Sequence, residues 1–213
     1  MNQDSVWILA KAGENGPPCW FNTLSQAMIQ CDPNTLAATD RIAIVVPYRD
    51  LHKDQKRHEQ LRRFVPSITQ FLHKGGVPFK IYVIEQSNDG RKFNRGKLLN
   101  VGFTMAVQDH CTVFIFHDVD LIPSDDLLPF YTTRPTDQPI HIAKLWGRYN
   151  KNPRYFGGIA SFSKQLYEEL NGYPNNYWGK CSVCMYVCMY VCMYGTVGHT
   201  TNYINRFNLR YLS

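Results

Sequence analysis

Hydrophobic and polar positions first fall into a regular order at residue 42. Ile42, Ala43, Ile44, Val45 and Val46 form a short, largely β-branched run, the pattern of a buried strand, which ends at Pro47-Tyr48-Arg49-Asp50. From about Lys53 onward the spacing changes. Leu61, Phe64, Val65, Ile68, Phe71 and Leu72 recur at three- and four-residue steps, which predicts one apolar face of a helix. Pro66 inside that face predicts a kink, and Gly75-Gly76 predicts the stop. A second strand is expected over 79–85, carried by Ile81, Val83 and Ile84. After a loop at 87–90, a second helix is expected over 94–107, with Leu98, Leu99, Phe103 and Ala106 facing inward. A third strand, 112–116, leads into His117-Asp118-Val119-Asp120. Residues 1–40 are polar and broken by Gly13, Gly16, Pro17, Pro18 and Pro33. They read as irregular, with one short helix around 24–29.

Strand, helix, strand, helix, strand is the rhythm of an α/β domain with a Rossmann-like, mostly parallel sheet. Ligands of such sheets bind at the carboxyl ends of the strands. That rule lines up 47–50, 86–94 and 118–120 along one edge, where a nucleotide fits.

The residues at that edge suit such a ligand. Alternate residues at a strand end can point the same way, so Asp118 and Asp120 can face one site. Carboxylate oxygens suit a hard divalent cation that also binds a diphosphate. Alone, such a pair is more often a polar turn or a helix cap. Tyr48 and Arg49 after Pro47 can stack on a base and hold a phosphate, or form an ordinary loop with one salt bridge. Phe93-Asn94-Arg95 opens the second helix; its amides and Arg95 can meet an anion, and Asn94 can cap the helix. Tyr155-Phe156-Gly157-Gly158 offers a close approach to the backbone, or a simple bend. Trp178 is a candidate sugar platform or a half-buried packing residue. His117 is expected to point to the other face of its strand and to be structural.

Composition narrows the options. With 213 residues the chain is long enough for one domain with a real core. Its net charge of +6 suits an anionic partner, but no alternation of basic and aromatic residues marks a nucleic-acid groove, so no nucleic-acid partner is expected. The longest apolar runs, such as 113–116, are far shorter than a bilayer span, and 1–40 lacks the basic and apolar regions of a signal peptide. Cys19, Cys31 and Cys111 lie in the body, whereas Cys181, Cys184, Cys188 and Cys192 crowd the tail. The cysteine count therefore does not define a redox compartment.

Taken together, Val46-Pro47-Tyr48-Arg49, the run from Phe93 to Phe103 (FNRGKLLNVGF), Phe116-His117-Asp118-Val119-Asp120-Leu121-Ile122-Pro123, Tyr155-Phe156-Gly157-Gly158 and Asn171-Gly172-Tyr173-Pro174-Asn175-Asn176-Tyr177-Trp178-Gly179 resemble the β-1,4-galactosyltransferase family. The resemblance covers 41–179. It implies a GT-A fold, a UDP-sugar donor (UDP-galactose above all) and Mn2+. It further implies inverting transfer to the 4-hydroxyl of a terminal N-acetylglucosamine, glucose or xylose on a glycan acceptor. By motif, Pro47, Tyr48, Arg49, Phe93, Asn94, Arg95 and Val119 are expected to contact the nucleotide, with Asp118 on the donor side and Asp120 as the metal ligand. Tyr155 is expected beside the donor sugar, and Gly157, Gly158 and Trp178 on the acceptor side. Family members sit in the Golgi lumen on an N-terminal anchor, which this sequence does not display.

After Trp178-Gly179 the family continues with Trp and a Gly-Gly-Glu-Asp-Asp type run that supplies acceptor contacts and the catalytic base. Here Lys180-Cys181-Ser182-Val183 follows instead, and the downstream Met and His that complete the family's metal site are also missing. From Val183 to Tyr194 the tetrapeptide Val-Cys-Met-Tyr occurs three times. Cys184, Cys188 and Cys192 share a helical face, but a zinc site draws on two separated segments. A four-base TGTA repeat read in triplets encodes Cys-Met-Tyr-Val, so 180–213 reads as a translated microsatellite from intron read-through or a frameshift. On this reading the chain is an enzyme domain, a UDP- and metal-binding fragment without its base, or a non-functional product.

Overall fold

The computed structural model describes residues 6–11, 36, 39–51, 53–147, 155–179 and 210–211, the two outer segments by backbone alone. The short helix expected around 24–29 and the repeat-bearing tail lie outside the described residues.

Strand β2 (Ile42–Tyr48) is buried along its whole length, as its apolar run predicts. It lies between β3 (Phe79–Gln86) and β4 (Val113–His117), parallel to both. Two antiparallel strands extend this parallel core. β1 (Val6–Lys11) pairs with β3 on one side, and β6 (Ile159–Ser163) pairs with β4 on the other. The five-stranded order is β1-β3-β2-β4-β6, an α/β mixed sheet with a parallel centre. A two-stranded ribbon joins β5 (Leu121–Ile122) to β7 (Arg210–Tyr211).

Helices cover both faces. Helix α1 (Arg57–His73) places Phe64, Ile68, Phe71 and Leu72 against Ile42, Ile44, Val46, Ile81, Val83 and Ile115. Helix α2 (Arg95–Gln108) places Leu98, Leu99 and Ala106 against Ala43, Val45, Ile84, Phe114 and Phe116 on the other face. Alternation along the strands sends successive side chains into the two layers. Two short helices, α3 (Leu128–Tyr131) and α4 (Lys164–Glu169), complete the described elements that matter for the site.

Several expectations need correction. Segment 53–55 forms only one 3-10 turn, Lys56 turns left-handed at φ 49°, and the α-helix starts at Arg57. Pro66 does not interrupt α1. Pro47 and Tyr48 belong to β2 and not to the loop after it. Pro47 lies beyond the last register pair of β2 with β4, Val45 with Phe116, at an edge-like position that tolerates a residue without an amide hydrogen. Val6–Lys11 is a strand in a region read as irregular, since pairing with β3 supplies what the local pattern does not show. Gly75 and Gly76 do close α1, Gly76 at φ 65°.

Candidate functional site

The carboxyl ends of β2, β3 and β4 meet the amino ends of α1 and α2, and charge concentrates there. After β4, Asp118 and Asp120 are partly exposed while Val119 between them is buried, which is strand-like alternation. The two carboxylates nevertheless do not share one partner. Arg95, the first residue of α2, grips Asp118 Oδ1 through Nε at 3.0 Å and Nη2 at 2.9 Å. Arg57, the first residue of α1, reaches Asp120 Oδ2 at 3.0 Å and also donates to Gln60 Oε1 at 2.8 Å. Helices on opposite faces thus send one arginine each to the Asp pair. The two carboxylates, which the spacing lets face one site, are each held in an ion pair of their own.

Asp118 is anchored from the backbone as well: its N–H donates to the Gly158 carbonyl at 2.9 Å. Gly158 has φ 81°, a conformation that requires glycine, so the Gly157-Gly158 motif serves to bring the start of β6 to the Asp pair. The Gly157 carbonyl accepts from His141 Nε2 at 2.8 Å, and Tyr155, half-buried, stands 6.3 Å from the His141 ring.

His117 is fully buried and committed to protein groups. Its Nδ1 faces the Asp118 carbonyl at 2.9 Å and its Nε2 the Tyr131 hydroxyl at 2.8 Å, which assigns the proton to Nδ1 and makes Nε2 the acceptor. Burial lowers its pKa to about 4. It therefore supports the Asp loop and offers no free ring nitrogen to a metal.

A second group lies along the same edge. Arg49 donates to the Arg91 carbonyl at 2.8 Å, pairs with Asp89 at 3.9 Å and lies 5.8 Å from the centre of the Phe93 ring. Arg91 lies 5.4 Å over the Trp178 ring, which is 38% exposed. Tyr48, in contrast, is buried; desolvation, with Asp50 and Glu85 nearby, raises its pKa to about 12. A base-stacking role for its ring is at odds with that burial.

Asn94 caps α2, accepting from Lys97 N–H at 3.0 Å, while its Nδ2 donates to the Asn175 carbonyl at 2.7 Å. Gly179 N–H returns to the Phe93 carbonyl at 2.9 Å. The Trp178 segment is thereby fastened to the strip that opens α2. Asn100 strengthens the link: its Nδ2 donates to the Tyr173 carbonyl and to Asn175 Oδ1, and its Oδ1 accepts from Tyr167 and from Tyr173 N–H. Sequence reasoning missed Arg57, Asn100 and His141. The available signal for Arg57 was a cation at a helix start beside the carboxyl edge; Asn100 lay inside a quoted motif without an assigned task.

Asp120 offers hard oxygen atoms suited to Mn2+, but among the described residues no group of three His, Cys, Asp or Glu side chains forms a closed metal cage. No helix among the described residues is long and apolar enough to cross a membrane.

Comparison with known proteins identifies the family. The N-terminal region of glycosyl transferase group 7 matches residues 22–133, and the N-terminal domain of galactosyltransferase matches residues 137–179. β-1,4-Galactosyltransferase 1 of Mus musculus is 37% identical over 151 residues, covering 69% of this chain and 35% of that protein. β-1,4-Galactosyltransferase 4 of Homo sapiens is 37% identical over 153 residues, covering 69% of this chain and 41% of that protein. The chain thus spans roughly two-fifths or less of the length of these curated relatives. Among solved structures, a variant of Drosophila β-1,4-galactosyltransferase 7 in complex with manganese, UDP-Gal and xylobiose superposes with a TM-score of 0.66 at 31% identity, covering 82% of this chain and 71% of that one. The fold is that of GT-A galactosyltransferases, and the chain belongs to glycosyltransferase group 7, the family of the β-1,4-galactosyltransferases.

Proposed function

We propose that residues 41–179 form the donor-binding half of an inverting galactosyltransferase that uses UDP-galactose and Mn2+ to galactosylate the 4-hydroxyl of a terminal sugar on a glycan, in the Golgi lumen. The observation that carries this reading is the convergence of Arg57 and Arg95, from two helix starts, on Asp118 and Asp120 at the end of β4. Helix amino ends and arginines favour a diphosphate, and the carboxylate of Asp120 favours the cation that accompanies it.

On this reading Asp120 would hold the metal through its carboxylate oxygens. When bound, Mn2+ supplies charge neutralisation for the departing diphosphate. Arg95 is kept at the mouth of the site by Asp118, so it is already oriented when the donor arrives. Arg49 and Phe93 form the wall for the nucleotide, Asn94 orders the amides of the α2 start, and Val119 closes the floor. Tyr155 borders the sugar, while Gly157, Gly158 and Trp178 mark the acceptor side. The relative crystallised with UDP-Gal, manganese and xylobiose supports a sugar acceptor.

Inverting transfer needs a base opposite the leaving group. The segment that follows Gly179, Lys180-Cys181-Ser182-Val183, does not carry the acidic run that supplies it in the family. Residues 1–213 are therefore expected to bind UDP in a Mn2+-dependent way without transferring galactose. Calorimetric titration with UDP, in Mn2+ and then in EDTA, checks the first part. Asp120→Ala is expected to weaken binding in Mn2+ by about tenfold or more, equivalent to about 1.4 kcal/mol. Equal affinity in parent and variant would remove Asp120 from the metal site. Transfer from UDP-galactose to xylose or N-acetylglucosamine by this chain would overturn the second part.

A further inference from the structure

Arg57 and a metal ion make competing claims on Asp120. The guanidinium lies 3.0 Å from Asp120 Oδ2, tying together residues 63 apart in sequence. Asp120 is only 13% exposed and sits against buried Val119, so its charge is poorly hydrated and needs a cation beside it. Arginine supplies that cation at every accessible pH.

We propose that Arg57 is the resident counter-ion of Asp120, and that Mn2+ must displace it to bind. The inference rests on Asp120 being the metal ligand. A dication and a guanidinium crowded on one carboxylate repel each other, so entry of the metal breaks the Arg57 contact. Gln60, buried on the first turn of α1, accepts from the same guanidinium at 2.8 Å and gives it a second anchor once Asp120 is lost. The displaced cation stays beside the metal, and the excess positive charge favours a polyanion. The chain thereby binds Mn2+ weakly alone and more strongly together with a nucleoside diphosphate. This couples the metal to the donor without a moving domain.

The experiment counts free Mn2+ by its electron paramagnetic resonance signal in the parent, Arg57→Gln, Arg57→Lys and Asp120→Ala, with and without UDP. Circular dichroism checks that each variant is folded. Arg57→Gln is expected to bind Mn2+ alone about tenfold more tightly than the parent and to show a smaller gain on adding UDP. Arg57→Lys keeps the charge and is expected to stay within about twofold of the parent, and a tenfold gain there would overturn the inference. If Arg57→Gln binds Mn2+ no better than the parent while Asp120→Ala loses it, the counter-ion role is wrong and the ligand role of Asp120 stands. If Asp120→Ala binds Mn2+ as the parent does, the ligand role itself fails and the counter-ion role with it.

Discussion

Gly102→Val is expected to destabilise the fold by more than about 3 kcal/mol. Gly102 lies where α2 presses on the sheet. A Cβ built there would collide with Val45 Cγ1 and come within 3.1 Å of Ile84 Cγ1. Both neighbours are fully buried strand residues with no room to retreat, since Val45 belongs to β2 and Ile84 to β3 at the sheet centre. Overpacking of this kind costs about 1–3 kcal/mol for small additions. Alanine at position 102 should therefore lower stability within that range. Valine adds two further methyl groups and a β-branched residue in a helix, and takes the cost past about 3 kcal/mol. Against a typical stability of about 5–15 kcal/mol, a chain carrying that burden is at the margin. Urea denaturation followed by circular dichroism measures it. A Gly102→Val transition within about 0.5 kcal/mol of the parent would show that the helix can lift from the sheet without loss, contrary to this account.

Acid is expected to destabilise the domain well above the range where ordinary carboxylates titrate. Burial holds His117 at about 4 and His141 likewise at about 4, against an ordinary histidine value of 6.5. Each imidazole is neutral in the fold, whereas the unfolded chain takes up a proton below pH 6.5. The unfolded state therefore binds more protons in this window, and stability falls as pH falls from 6.5 towards 4. At pH 5 the fully buried His117 accounts for about 2 kcal/mol and the half-buried His141 for somewhat less. Glu85 acts in the opposite direction, because burial and Asp50 raise its pKa, but it is one group against two. Urea midpoints at pH 7.5 and pH 5 should differ clearly, and His141→Gln should shrink the difference. An unchanged difference in that variant would mean that other groups carry the acid sensitivity. The two histidines brace the Asp118 carbonyl and the Gly157 carbonyl, so acid should loosen the site's backbone before the distant core.

The segments of the parallel core were legible because the signals are local. Val46 and its neighbours are β-branched and apolar, and the residues of α1 repeat at helical steps, so each segment declares its own periodicity. The carboxyl-edge rule then placed 47–50, 86–94 and 118–120 together before any coordinates, and the family motifs pointed to the same residues. Local pattern also marked Asn94 as a cap and Gly158 as a bend, and both are seen.

Contacts distant in sequence decided the rest. Tyr48 looked like an exposed aromatic after a strand, but β2 continues through it and the ring is buried. Val6–Lys11 carries no clean alternation and becomes a strand by pairing with β3. By spacing, Asp118 and Asp120 can face one site, yet Arg95 and Arg57 approach from opposite faces and hold one carboxylate each. The chain's sequence by itself determined the strands and helices of the parallel core, β2, α1, β3, α2 and β4, and which residues lie at its carboxyl edge, because backbone periodicity and side-chain alternation are properties of neighbours. Only the tertiary structure decided which charges meet, because an ion pair between residues 63 apart depends on how two helices dock on a sheet.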